Sequence, residues 1–321
     1  HDRFGHRVDL VRFHPAYHTL MKTAIEEGIH ASPWTNPQPG AHVARAAKFY
    51  LQAQVEAGHG CPITMTFAAV PSLLTTPALA QQWVPKITAS VYDPRNVPDA
   101  AKQGLTIGMA MTEKQGGSDV RANTTRAYPV GASGPGEAYE LVGHKFFVSA
   151  PMCDAFLVLA QAPGGLSCFL LPRFAPDGGR NGQRLQRLKD KLGDWSNASS
   201  EVEFHDALAW RVGEEGRGVA TVLQMVALTR LDCLLGSAAL MRQALVQALH
   251  HARHRRAFGR PLVEQPLMRN VLADLALESE AATALAFRIA RAVDASARDP
   301  REAALARLGT ALGKYWVCKR A

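Results

Sequence analysis

Apolar and polar positions divide the chain into zones with different periods. Residues 1–104 read as helix and loop, with apolar positions at helical spacing in 43–59 and a helix start at Thr76-Pro77 before 78–90. Residues 105–213 change to short β-rich runs separated by clusters of Gly, Pro, Asp and Asn, and the predicted strands are LTIGMAMTE, YELVGHKFFVSA, AFLVLAQ, LSCFLLPR and SSEVEF. No helical pattern lies between these runs, which favours an antiparallel sheet or barrel over a βαβ fold.

From Gly218 onward the pattern is helical again, with long helices predicted over 219–255, 267–295 and 300–321. The first of these is apolar around most of its circumference, so other helices or other subunits must cover it. The sequence therefore predicts an α+β multidomain protein: an N-terminal helical domain (1–104), a middle antiparallel β-barrel (105–213) and an incomplete C-terminal helical bundle (214–321). Because the chain begins without Met and stops within a helical pattern, we expect it to be a piece of a longer protein, truncated at both ends.

Composition narrows the class of protein. Apolar residues make up 47% and charged residues 20%, which indicates a packed core and not a disordered chain. The 36 Lys and Arg against 28 Asp and Glu give a net charge of +8, which suits an anionic ligand, nucleic acid or neither. The five Cys are odd in number and widely spaced, so reduced thiols in a cytoplasmic protein are expected. Arg230 and Asp232 interrupt the longest apolar run, and no membrane span is predicted.

Several enzyme classes lack their signature motifs. The chain has no G-x-G-x-x-G, Walker A, G-x-S-x-G or H-E-x-x-H motif, so a Rossmann dehydrogenase, P-loop ATPase, serine hydrolase or zincin has no support. His14 and His18 stand four residues apart, but Pro15 lies between them and no third ligand is evident. We therefore predict no metal site.

Three segments are candidates for chemistry. In MTEKQGGSDV (111–120), Gly117 and Ser118 follow a predicted strand and expose backbone amides that suit a pyrophosphate, while Thr112 could meet a polar heteroaromatic edge. Taken alone, this string is more often a simple turn.

The second segment, VGHKFFVSAP (142–151), contains adjacent aromatic residues. Phe146 and Phe147 cannot both face one core, because successive strand side chains alternate, so one of them could stand against a flat ligand. Ser149 lies on the same face as Phe147. The simpler interpretation is two apolar strand residues followed by a Ser at the strand end.

The third segment, HHARHRRAFGRPL (250–262), clusters arginines at a predicted helix C-terminus. Cations there complement the helix dipole, and a phosphate clamp is the functional alternative.

In this order, the segments, together with KLG, EVEF and GEEGRG, resemble the acyl-CoA dehydrogenase flavoprotein family over nearly the whole chain. Finer strings resemble the AidB-like, alkylation-response branch: FHPAYH (13–18), QVEAGHGCPITMTFA (54–68), GGLSCFLLPR (164–173), LQRLKDKLG (185–193) and SNASSEVEF (196–204). The resemblance implies FAD as cofactor, an acyl-CoA ligand, and a homo-oligomer, expected to be a tetramer.

The resemblance also assigns roles to individual residues. Met111 and Thr112 would hold the pyrimidine edge of the flavin, and Gly117 and Ser118 its pyrophosphate. Phe147 stands where the family has a stacking Trp, and Ser149 where it has a Thr hydroxyl facing flavin N5. Met109, Ala110 and Val148, on the same two strands, are also expected at the cofactor. In the third segment, Arg255 and Phe258 would touch the FAD of a neighbouring subunit, and Ala257 stands where the family has a Thr.

No catalytic residue is identifiable in this chain. In most of the family the catalytic Glu would lie after Ala321, and at the alternative, isovaleryl-type position stands Thr229, which cannot act as a base. The resemblance further implies association with double-stranded DNA through a basic region C-terminal to the dehydrogenase core. The sequence leaves open a DNA-associated flavoprotein with weak isovaleryl-type activity, an ordinary metabolic acyl-CoA dehydrogenase of short or branched substrates, and a helical scaffold that has lost FAD.

Overall fold

The computed structural model describes all residues, 1–321. Five helices come first, then seven strands, then three long helices interrupted by a small hairpin. The helices of the first zone are α1 (Pro15–Glu26), α2 (Ser32–Thr35), α3 (Ala41–Ala53), α4 (Gly60–Leu73) and α5 (Pro77–Ile87). The strands are β1 (Ile107–Thr112), β2 (Arg126–Pro129), β3 (Ala138–Ser149), β4 (Ala155–Ala162), β5 (Gly165–Pro172), β6 (Gln183–Leu188) and β7 (Ser199–Val212). They are followed by α6 (Gly218–His254), the hairpin β8 (Arg256–Ala257) and β9 (Arg260–Pro261), α7 (Pro266–Ala295) and α8 (Pro300–Arg320).

The long C-terminal helices begin and end close to their predicted limits. Proline occupies the first turn of both α7 and α8, where its missing N–H has no partner to lose. Asp299 caps α8 by accepting a hydrogen bond from the Arg301 backbone N–H. In the first zone, α3 ends at Ala53, so the helix predicted over 43–59 is too long, because the chain turns after Gln54 towards the Gly-rich start of α4.

Strands β1, β4, β5, β7 and β3 pair in a closed ring, which makes the middle zone a barrel. Four of these five pairings are antiparallel, as predicted, and the β1–β4 pairing is parallel. Parallel pairing is possible there because β2 and β3 together carry the chain back before β4 begins. The sequence did not predict β2 and β6. Strand β2 is only four residues long, and β6 (QRLQRL) is an exposed edge strand with few apolar residues, so neither has a clear apolar pattern.

The chain forms two compact units. One contains residues 1–35 and 58–226, and the other contains residues 36–57 and 227–321. In the first unit the barrel core is dense: every residue of β4 from Ala155 to Ala160 is at most 1% exposed, so both faces of this strand are covered. The division at residues 104 and 213 stays a prediction.

Helix α6 is a single 37-residue helix, long and apolar enough to cross a membrane by length and composition. Its most apolar window has a mean hydropathy of 1.5, and 44% of that window is buried inside the structure. A core helix of a helical bundle passes the same test. Within α6, Asp232 forms a bidentate ion pair with Arg45 of α3, and both side chains are at most 2% exposed.

Removing one partner of this ion pair should destabilise the second unit strongly. Asp232→Ala removes the carboxylate that binds the buried Arg45 guanidinium through two hydrogen bonds, and we expect a loss of about 3–5 kcal/mol in the free energy of unfolding. Urea denaturation followed by circular dichroism measures it. The matched control is Asp274→Ala, which removes an exposed carboxylate from α7 and should change stability by less than about 0.5 kcal/mol. Equal losses in the two variants would contradict this account of the pair.

Candidate functional site

The pairing of β1 with β3 brings together most of the residues that the sequence singled out. Met109 lies opposite Ser149 and Thr112 lies opposite Phe147, with an irregularity in the ladder between them. Ala110 and Val148 are at most 1% exposed, so both residues belong to the barrel core and neither is open to a ligand.

The segment after β1 is a tight turn with unused donors at its tip. Glu113 N–H donates to the Gly116 carbonyl (3.0 Å), and Gly116 N–H donates back to the Glu113 carbonyl (3.2 Å). A Cβ on Gly116 would come within 2.6 Å of the Asn123 Oδ1 and 3.0 Å of the Asp119 carbonyl oxygen, so a larger residue would displace the Asn123 side chain. Gly117 and Ser118 are exposed, and their backbone N–H groups make no hydrogen bond within the protein. This arrangement can accept an anion.

A buried ion pair fixes this turn to the barrel. The Glu113 and Lys145 side chains are fully buried, with Nζ 2.7 Å from Oε1. Lys145 also donates to the Leu159 carbonyl (2.6 Å), and Glu113 accepts from the backbone N–H groups of Thr124 (2.7 Å) and Thr125 (3.1 Å). Burial raises the pKa of Glu113, but the Lys145 ammonium and the hydrogen bonds from Thr125 and Thr124 outweigh it and lower the pKa to about 2.

The two adjacent phenylalanines have different surroundings. The Phe146 ring lies beneath the Lys189 ammonium, whose Nζ is 3.0 Å from the ring centroid. Phe147 is 38% exposed, and its ring centroid is 5.9 Å from the same Nζ. Phe147 is thus the aromatic residue that is open to a flat ligand.

The hydroxyl of Ser149 belongs to a polar cluster that the sequence analysis did not foresee. Its Oγ lies 3.4 Å from the Oγ of Ser199, which in turn accepts from Lys191 Nζ at 3.3 Å. Lys191 also donates to the Asn197 carbonyl at 2.6 Å. Burial raises the pKa of the neighbouring Cys61 thiol, although hydrogen bonds with Ser149 and Asn197 oppose it. This thiol is therefore protonated at neutral pH.

Arg255 and Phe258 lie in the second unit, at the hairpin after α6. Phe258 and Gly259 form its two-residue tip with φ values of 51° and 81°, and the Phe258 side chain is 95% exposed. A large apolar ring in the left-handed region of φ carries backbone strain and gains no packing within this chain. Arg255 is exposed beside it.

The remaining candidates lie elsewhere. Thr229 is half-buried on α6 and Arg230 is exposed. His14 caps α1, its Nδ1 accepting from the Ala16 backbone N–H at 3.2 Å, whereas the His18 Nδ1 lies 2.8 Å from the Tyr92 hydroxyl. The two imidazoles therefore serve different local contacts.

Glu113, Lys145 and Asn123 shape the site, and sequence reasoning assigned them no role. The Asn123 side chain donates to the Met111 carbonyl at 2.7 Å and so fixes the end of β1. The available signal was the lone lysine inside the apolar string GHKFFVSA, because a charged residue at a core-facing strand position requires a buried partner.

Comparisons with known proteins agree with this architecture. Residues 1–94 match the adaptive response protein AidB N-terminal domain, residues 108–207 the acyl-CoA dehydrogenase middle domain, and residues 216–321 the acyl-CoA dehydrogenase C-terminal domain. AidB of Escherichia coli (strain K12) is 55% identical across 100% of this chain, which covers 59% of that protein. Acyl-CoA dehydrogenase family member 11 of Caenorhabditis elegans is 30% identical across 100% of this chain, which covers 53% of it.

Solved structures show the same fold. Caenorhabditis elegans ACDH-11, in complex with C11-CoA, superposes with a TM-score of 0.90 at 30% identity, covering 100% of this chain and 55% of that one. A Bacillus anthracis acyl-CoA dehydrogenase complexed with FAD gives a TM-score of 0.73 at 19% identity, covering 94% of this chain and 52% of that one, and shows the fold alone.

Residues 108–207 and 216–321 are the middle and C-terminal domains of the acyl-CoA dehydrogenase family, whose members use FAD. The chain also carries the AidB N-terminal domain, and it is similar to Escherichia coli AidB over its whole length. The predicted fold class, a helical domain, a middle β domain and a C-terminal helical domain, is confirmed. The chain spans a little more than half the length of the curated relatives it matches most fully.

The Glu113–Lys145 pair should make stability depend on acid pH. The pKa of the Glu113 carboxyl falls from about 4.3 in the unfolded chain to about 2 in the folded protein. Its contribution to the stability of the folded protein is therefore complete at pH values well above 4.3. That stabilisation is lost as the pH falls towards 2. Glu113→Gln should lower the free energy of unfolding by roughly 3 kcal/mol at pH 7. The difference from wild type should shrink between about pH 5 and pH 2.

Urea titrations at pH 7, 5 and 3 test this. The matched control is Glu140→Gln, an exposed carboxylate on the same strand as Lys145. A difference between Glu113→Gln and wild type that stays constant from pH 7 to pH 3 would rule out the charged pair as its source.

Proposed function

We propose that this chain is the FAD-holding part of an acyl-CoA dehydrogenase-type oxidoreductase that acts on CH–CH bonds. One observation carries the proposal. The backbone N–H groups of Gly117 and Ser118 are unused, and they lie on the turn that follows β1. The last residue of β1, Thr112, lies opposite Phe147 of β3, whose ring is exposed. These residues fit a dinucleotide with an anionic centre and a flat ring.

Each residue has a distinct task. The amides of Gly117 and Ser118 and the Ser118 hydroxyl would hold the pyrophosphate, and Met111 and Thr112 would hold the polar edge of the flavin. Phe147 would contact the flavin ring, and Ser149, next to Ser199, would offer it a hydroxyl. Met109, Ala110 and Val148 would support these residues from within the two strands. When bound, FAD supplies a hydride acceptor.

The base of the reaction is not among the carboxylates at this site. Glu113 is fully buried, ion-paired with Lys145 and has a pKa of about 2, so it cannot take a proton from a substrate carbon at neutral pH. Thr229 has no basic group. In this chain the site therefore binds and orients the cofactor without a catalytic carboxylate.

A homo-oligomer, with the tetramer as the expected form, accounts for two surface features. The exposed Phe258 and Arg255 suit contact with the cofactor of a neighbouring subunit, although Ala257 lacks the hydroxyl of the family Thr. Large apolar side chains on α7 and α8 remain exposed, among them Leu267, Leu275, Leu277, Leu308, Leu312 and Trp316. A second copy of the chain would bury such residues.

The biological setting that we propose is the alkylation response in the cytoplasm, with weak isovaleryl-type acyl-CoA dehydrogenase activity and association with double-stranded DNA. Its support is the 55% identity to AidB together with the net charge of +8. The relative crystallised with C11-CoA supports an acyl-CoA ligand. The alternative is an ordinary metabolic dehydrogenase of short or branched acyl-CoA substrates.

A charge at the pyrophosphate position should abolish cofactor binding. Ser118→Asp would place a carboxylate against the phosphates with no counter-ion, and we expect purified apoprotein without flavin absorbance. Visible spectra and the FAD-to-protein ratio measure the effect. Ser133→Asp, in the exposed loop between β2 and β3, is the control and should retain wild-type FAD. Stoichiometric FAD in Ser118→Asp would show that the Gly-Gly-Ser-Asp segment is a turn without a role in binding the cofactor.

Two measurements on the full-length protein separate the two settings. For a DNA-associated protein we expect slow flavin bleaching by isovaleryl-CoA, and binding to duplex DNA that weakens steeply between 50 and 200 mM salt, as about one counterion is released per phosphate contacted. Rapid bleaching at enzymatic rates, with no salt-sensitive duplex binding, would favour the metabolic dehydrogenase instead.

A further inference from the structure

A cavity of about 340 Å³ lies within the unit formed by residues 1–35 and 58–226. None of the residues assigned to FAD lines it. One wall is apolar: the rings of Phe13 and Tyr17 stack with centroids 4.0 Å apart, and Met21 and Pro62 continue this wall. The volume is in the range of small-molecule sites, about 300–1,000 Å³.

The acidic groups that line the cavity are already neutralised. Asp154 pairs with Lys102 (2.7 Å) and accepts two further hydrogen bonds from Thr106. Asp93 pairs with Arg95 (2.5 Å), and the hydrogen bond from Arg95 is the main cause that lowers the pKa of Asp93 to about 2. Neither carboxylate is left to attract a cationic ligand.

Arg173 is the buried cation of the cavity lining that has no carboxylate within ion-pair distance, and it is 9% exposed. Its Nη1 donates to the Met152 carbonyl (2.8 Å) and contacts the Met152 sulfur (3.5 Å), and its Nη2 donates to the Asn96 Oδ1 (2.5 Å). The buried Nε has no hydrogen-bond partner, and the acceptors of the other nitrogens are all neutral. Burial lowers the pKa of Arg173, and the charge of Asp154 offsets this only in part. A buried cation in this state is stabilised when an anion joins it.

Two further polar groups of the cavity lining, His18 and Tyr92, do not oppose an anion. The His18 Nδ1 lies 2.8 Å from the Tyr92 hydroxyl, and burial raises the pKa of Tyr92, so the phenol stays uncharged at neutral pH. Once the two acid–base pairs are counted as neutral, the buried Arg173 and the exposed Arg12 are the remaining charges of the cavity lining, and both are positive. That pattern matches an anionic ligand with an apolar body.

We propose that this cavity binds a small amphipathic monocarboxylate, whose carboxylate pairs with Arg173 and whose apolar body packs against Phe13 and Tyr17. A guanidinium group and a carboxylate can form two parallel hydrogen bonds. Because Arg173 is buried, water would weaken this ion pair little. The site is independent of the proposed FAD site.

Hexanoate is the probe, titrated calorimetrically into the full chain, with hexylamine and 1-hexanol as probes of equal length. We expect hexanoate to bind at least about tenfold more tightly than either. Arg173→Gln should weaken hexanoate binding at least about tenfold and leave 1-hexanol unaffected. Arg173→Lys should restore part of the loss. The matched control is Arg184→Gln, an exposed arginine on β6 that should bind hexanoate as wild type does.

Equal binding of hexanoate and 1-hexanol to the wild-type chain would overturn the proposal, and so would unchanged hexanoate affinity in folded Arg173→Gln. If Arg173→Gln fails to fold by circular dichroism, Tyr17→Ala takes its place and should weaken hexanoate binding through the lost apolar wall. The FAD content of each variant is recorded in parallel. A wild-type chain without FAD would contradict the proposed function and leave the hexanoate result readable.

Discussion

The ion pair between Glu113 and Lys145 is the constraint on which the candidate site depends. Two charges that are fully buried in the barrel wall cannot be separated without a large loss of stability, so they fix the turn after β1 to β3. The same carboxylate accepts backbone N–H groups from the segment after that turn. The free amides of Gly117 and Ser118 are therefore presented by a backbone that has little freedom to move, which is the preorganisation that an anion site requires.

Barrel closure explains why the site lies where it does. Strand β1 pairs with β4 as far as Ala110 and with β3 as far as Thr112, so its C-terminal end is held by β3 alone while the tip of the turn that follows stays exposed. The irregular ladder between Met109 and Thr112 opens this edge locally. The candidate site is thus formed by paired residues of β1 and β3 and by the turn after β1, and the remainder of the barrel supports them.

Much of the fold was predictable, since helices and barrel strands carry strong periodic patterns. The long helices were located within a few residues, and so were the strands with dense apolar runs. The failures have physical causes. The edge strand β6 has one exposed polar face and little apolar content, and the parallel β1–β4 pairing is a long-range contact that no local pattern encodes.

The sequence by itself determined the class of fold and the order of its motifs, because hydrophobic period and turn residues act over a few neighbouring positions. It also marked the segments that hold Ser118, Phe147 and Ser149. Only the tertiary structure decided which side chains meet: that Lys145 neutralises Glu113, that Lys191 and Ser199 support Ser149, and that Arg173 lies beside a cavity with no carboxylate within ion-pair distance. Charge pairing and burial depend on distances between residues far apart in the chain, and the folded backbone alone sets those distances.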